Sequence, residues 1–189
     1  LWQRWSPDLF IDVHTTNGAD YQYDLTWYLE EWDNQAEAVR AWQREALVGR
    51  VFPATTRHGH LLAPYINLVD HRDVRKGLVN FGSGPRFSTG YVALRNRPGL
   101  LLETHMLKPY RQRVQATEAL LLEVLRELER NGDDLHTANA AADAAQRQRM
   151  DSDAVEYPLA FRPGGPPQAF RLRGVAFAQT PSAISGDTW

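Results

Sequence analysis

The sequence predicts an α/β fold, a mostly parallel or mixed sheet flanked by helices. Three observations carry this. Two short apolar runs, 8–14 (DLFIDVH) and 99–105 (GLLLETH), read as strands. The second run is continuous rather than alternating, the pattern of a strand covered on both faces. Stretches of helical period accompany them, clearest over 111–131, where Val114, Leu121, Leu122, Leu125 and Leu128 share a side. Strands that alternate with helices bury their apolar surface as a sheet with helices packed outside it.

In chain order, the first strand gives way to a turn at Asn17-Gly18. Residues 34–48 read as a helix with Ala36, Val39, Trp42, Ala46 and Leu47 near one face. Residues 49–90 are mixed, punctuated by Pro53, Pro64 and Pro85, and end in FGSGPRFSTG; they read as loops that wall a cleft. A short helix is expected over 88–96, capped by Ser88 or Thr89 and stopped by Pro98-Gly99. Asn131-Gly132 is expected to end the helix of 111–131, and 133–149, rich in Ala and Gln, to form another. Past Met150 the character changes. Residues 154–161 and 168–178 read as two strands around Pro163-Gly164-Gly165-Pro166-Pro167. The expected organisation is therefore an α/β body over 1–150 and a C-terminal β extension over 151–189.

Composition narrows the function. A net charge of −2 argues against a general nucleic-acid binder, which carries a basic excess. With no cysteine, disulfides and thiolate-bound metals are excluded, so a metal site must use His, Asp or Glu. No apolar stretch approaches the ~18 residues that span a bilayer. The chain opens on Leu1-Trp2 without an initiator Met or signal peptide and stops at Thr188-Trp189, so both ends read as cuts through a longer polypeptide.

The chemistry concentrates at the ends of the two strands. Asp12 and His14 lie two apart on a strand and so share a face. A carboxylate beside an imidazole fixes its tautomer and orientation, as partners of metal-bound His do. Glu103 closes the run Leu100-Leu101-Leu102. A carboxylate at the end of a buried strand is costly without a partner or a task, and one task is general base toward a metal-bound water. Ligands in such sheets sit beyond the carboxyl ends of the strands, where all three residues fall.

PDLFIDVHTTNGADYQYD (7–24) and GLLLETHMLKPY (99–110) together resemble the zinc carboxypeptidases of the carboxypeptidase A type, bacterial members above all. The resemblance spans roughly residues 6–130. It implies that His14 is the third zinc ligand, that Glu103 promotes attack by water, and that Asp12 supports His14 rather than binding zinc. It implies zinc as cofactor, a peptide or small amide as substrate, and cleavage of amide bonds at peptide C-termini. A compartment outside the cytoplasm, periplasmic or extracellular, is also implied. The substrate's terminal carboxylate would need a planar cationic fork, for which Arg86, Arg95 and Arg97 are candidates beside Arg57 and Arg72, with Tyr91 as a candidate hydroxyl.

One departure is specific. The family's first two ligands form a His-x-x-Glu motif ahead of the third. None of His14, His58, His60, His71, His105 and His136 has Glu three residues on. The chain therefore reads as the C-terminal part of a catalytic domain, expected to hold zinc weakly and to be inactive alone, because a catalytic zinc needs three protein ligands. Two rivals stand beside this reading. DVHTTN also resembles the aspartoacylase and succinylglutamate desuccinylase branch, which deacylates small N-acyl amino acids. A non-catalytic domain of the same fold would bind peptides or cell-wall material. Elsewhere the plainer readings prevail. His58-Gly59-His60 reads as a loop pair without a third ligand. FGSGP lacks a phosphate loop's Lys, and no Gly-x-Ser-x-Gly elbow occurs.

Overall fold

The computed structural model describes residues 2–16, 21–70, 73–80, 82–151, 171–174, 178 and 180–187. The β extension expected at 154–161 and over most of 168–178 lies outside them. Strands β1 (Phe10–Thr16), β2 (Leu25–Leu29), β3 (Leu62–Pro64) and β6 (Gly99–His105) form one sheet in the order β1-β6-β2-β3. The sheet is mixed: β1 runs parallel to β6, β6 antiparallel to β2, and β2 parallel to β3. β4 (Asn67–Leu68) and β5 (Leu78–Val79) form a separate antiparallel pair. The helices are α1 (Trp2–Trp5), α2 (Glu37–Trp42), α3 (Phe52–Arg57), α4 (Ser88–Ala93) and α5 (Tyr110–Met150). The α/β class and the flanked mixed sheet are as the sequence predicts. Among the described residues, no helix is long and apolar enough to cross a membrane.

Alternation along the strands sorts the sheet into two unlike faces. Leu25, Trp27 and Leu29 of β2, Leu100 and Leu102 of β6, and Ile11 of β1 point to one side. There they meet Trp42, Ala46, Leu47 and Phe52 on the α2–α3 arm and Ala116, Leu120 and Val124 on α5, and this is the core. The opposite face carries Asp12, His14, Thr26, Tyr28, Glu103 and His105. It is polar, and α4 packs over part of it. Gly99 makes that close approach possible: a Cβ there would lie 3.3 Å from Thr89 Cα and 3.5 Å from Val92 Cβ.

Several helix boundaries differ from expectation. The first helix begins at Glu37, because Ala36 is extended, and it does not stop at 48. It widens into a π-helical stretch, Gln43–Val51, and runs on through α3. The Phe52 N–H reaches back five residues to the Leu47 carbonyl. Pro53 follows, with no N–H for the preceding turn, and a wider turn admits its ring. The break expected at Asn131-Gly132 is present: within Tyr110–Met150 two helical stretches meet at a kink where Asn131 takes the non-helical φ −134°, ψ 29°. Neither residue adopts the left-handed conformation of a helix stop. Buried Leu135, Ala138 and Ala142 continue the apolar side beyond the kink. On α4 the cap residue is Phe87 rather than Ser88 or Thr89, and no side chain caps the helix.

Candidate active site

His14 and Glu103 are register partners on parallel strands, so their side chains leave the same face side by side. Asp12, two residues before His14, joins them. Its Oδ1 accepts a hydrogen bond from His14 Nε2 at 2.8 Å, and its Oδ2 accepts one from the Ser88 hydroxyl at 2.5 Å. An ionised carboxylate has no hydrogen to give, so His14 carries its proton on Nε2, and Nδ1 keeps a free lone pair when the ring is neutral. The His14 side chain is half exposed at 52%, whereas Asp12 is at 25%.

Glu103 sits deeper, with 9% of its surface accessible. Among the described residues its Oε2 has no hydrogen-bond partner, and neither does Oγ1 of Thr26, its register neighbour on β2. Burial pushes the Glu103 carboxyl up from the ordinary carboxylate range; the His14 charge opposes the shift and the Asp12 charge adds to it. The same carboxylate acts on Tyr65, whose phenol is raised first by burial and then by the Glu103 charge. Tyr21 lies next in line, raised by burial and by Tyr65, with its ring edge-on to His105 at 5.1 Å.

A fully buried carboxylate marks the far end of this face. Glu30 Oε1 accepts the Ser83 backbone N–H at 2.9 Å, and Asn34 donates to Oε2 at 3.2 Å. Burial raises Glu30, and the hydrogen bonds from Ser83 and Asn34 work against the rise. The loop over 82–88 is thus fastened near both ends, by Ser83 to Glu30 and by Ser88 to Asp12.

No family model, no curated protein and no solved structure matches this chain. Its geometry is the ground for a functional reading, joined to the resemblance of its strand-end motifs.

Of the residues singled out in the sequence, the fold brings Asp12, His14 and Glu103 together. The remainder lie elsewhere or apart. Arg97 grips Asp143 of α5 with two hydrogen bonds of 3.0 Å, and Arg95 and Arg97 line a cavity of about 250 Å³ with Trp2, Ser6 and Asp143. Tyr91 meets the Trp2 ring edge-on at 6.0 Å. Arg86 is exposed on the loop before α4. His58 and His60 have separate partners, Glu123 on α5 and Asp24. Sequence reasoning missed Tyr65, Thr26 and Ser88. Their only signal is register and loop closure, which single-residue spacing does not reveal.

His14 offers an oriented imidazole with one open nitrogen, held by a carboxylate as metal-bound His usually is. Among the described residues, no three His, Asp or Glu side chains gather to hold an ion. These residues fit zinc only in company with further ligands.

Proposed function

We propose that this face is part of the site of a zinc-dependent metallocarboxypeptidase, with His14 as one metal ligand and Glu103 as the general acid–base. The observation that supports the reading most strongly is the pairing itself. A buried carboxylate with an oxygen unpartnered among the described residues stands in register with an imidazole that a second carboxylate orients. Zinc, when bound, would polarise the attacking water and the scissile carbonyl. Glu103 would take a proton from that water and return it to the departing amine. Its burial suits this task, because a raised carboxyl is a stronger base toward the water's proton and still an acid able to return it. Asp12 would hold His14 so that Nδ1 faces the metal. Of the arginines singled out in the sequence, Arg97 is engaged by Asp143 and Arg95 lines the cavity beside it, which leaves exposed Arg86 as the candidate for a substrate carboxylate.

The test is release of the C-terminal amino acid from a peptide series by the zinc-loaded, longest available form of the protein, with and without chelator. Glu103→Gln is expected to lower the rate by roughly 10²–10⁴-fold, the usual contribution of general acid–base catalysis, with metal content unchanged. Full activity in that variant would end the proposal. Hydrolysis of N-acyl amino acids in place of peptides would move the protein to the deacylase reading, and peptide binding without hydrolysis to the non-catalytic one.

A further inference from the structure

Ser88 stands at the point where α4 meets the candidate site, and its hydroxyl is not spent where the sequence suggests. The sequence offers it as a cap for the helix's own free N–H groups, but Phe87 takes the cap position and Ser88 is the first helical residue. No side chain caps α4; the Ser88 hydroxyl donates across to Asp12 Oδ2 at 2.5 Å. The other oxygen of the same carboxylate faces His14 Nε2 at 2.8 Å. Asp12 is thus held from two sides by donors belonging to different elements, α4 and β1. A carboxylate with one oxygen anchored cannot turn about its last torsion, so the anchored oxygen fixes where the free one points. The His14 ring, half exposed, has no other hydrogen bond among the described residues to settle its orientation.

We propose that Ser88 is a positioning residue for the site: its hydroxyl locks the Asp12 carboxylate, and the locked carboxylate holds the His14 ring with Nε2 protonated and Nδ1 turned outward. The inference takes His14 as the working imidazole, as the proposed function does, but its test needs neither metal nor substrate. A plain structural role for Ser88, pinning α4 to the sheet, would make the same contact and predict something different. Pinning affects how firmly α4 sits. Positioning affects how long the His14 Nε2–H survives against exchange with water.

The experiment measures exchange of the His14 ring Nε2–H by nitrogen-edited NMR on the metal-free protein, at one fixed pH and low temperature. Ser88→Ala and Ser88→Cys, the second retaining size with a weak donor, are expected to speed that exchange by roughly tenfold, the scale of weakening a hydrogen bond to an ionised group. Ser88→Thr, which keeps the hydroxyl, is expected to restore it. Val92→Ala serves as the control, since it loosens α4 where the helix packs over Gly99 without touching Asp12. It should lower thermal stability and leave the exchange rate alone. Unchanged exchange in both Ser88→Ala and Ser88→Cys would overturn the proposal, and so would equal acceleration in Val92→Ala. Absence of peptidase activity in the zinc-loaded, longest available form of the protein, with the exchange result intact, would count against the proposed function alone.

Discussion

Replacing Glu103 by Gln is expected to stabilise the protein at neutral pH, even while it removes the candidate general base. The carboxyl is buried, its Oε2 has no partner among the described residues, and burial lifts its pKa above the ordinary range. The sign follows from proton uptake. In the window above the unfolded pKa of about 4.3 and below the raised folded value, the native state holds more protons than the unfolded one. Stability therefore falls as pH rises through that window, and the deficit persists above it. Gln has the same shape and no charge, so its stability should not fall there. A buried group without a partner costs about 1–3 kcal/mol, and more when charged, so about 1–2 kcal/mol is a conservative gain at pH 7. For a chain of this length that is a rise in Tm of about 2–8 °C. Below pH 4 both side chains are neutral, and the two proteins should melt together. Thermal melts of both proteins between pH 4 and pH 8 measure this. A Gln variant less stable than the parent at pH 7, or a gap that does not change with pH, would refute the reasoning: Glu103 would then be a satisfied structural charge.

Two further outcomes test how the loop and α4 are built. Gly90→Ala would place a Cβ 2.3 Å from the Gly84 carbonyl oxygen and 2.4 Å from that of Ser83; α4 and the loop must part, at about 1–3 kcal/mol in a denaturant titration. Arg97→Ala should cost about 1 kcal/mol at pH 7, the scale of a partly exposed ion pair, and less at acid pH. The Arg97 hydrogen bonds hold the Asp143 carboxyl below its usual value, so the pair's contribution is complete above the unfolded Asp pKa of about 3.9 and vanishes as pH falls through the folded one.

The sequence disclosed most where local pattern and burial agree. β6 forms over the residues 99–105 that its unbroken apolar run marks out, and it lies inside the sheet between β1 and β2. Asp12, His14 and Glu103 meet because period-two alternation and strand register place them there. Helix ends were less legible. Asn131-Gly132 does mark the kink in α5, but nothing local announces that the helix expected over 34–48 runs on past Pro53 to Arg57. Residues 62–64 pair with β2 through contacts that span some forty positions, too short a strand to declare itself locally. Ser88, Thr26 and Tyr65 stayed hidden for the same reason: a side chain's role at this face depends on which neighbour the sheet or loop brings across.

Zinc titrated into the protein while the ring resonances of its histidines are followed tests the central idea most directly. The account predicts that His14 responds first, through the nitrogen turned away from Asp12, with weak affinity, and that Glu103→Gln leaves this response in place. Tight binding centred on His58, His60 or His136, with His14 unmoved, would contradict it.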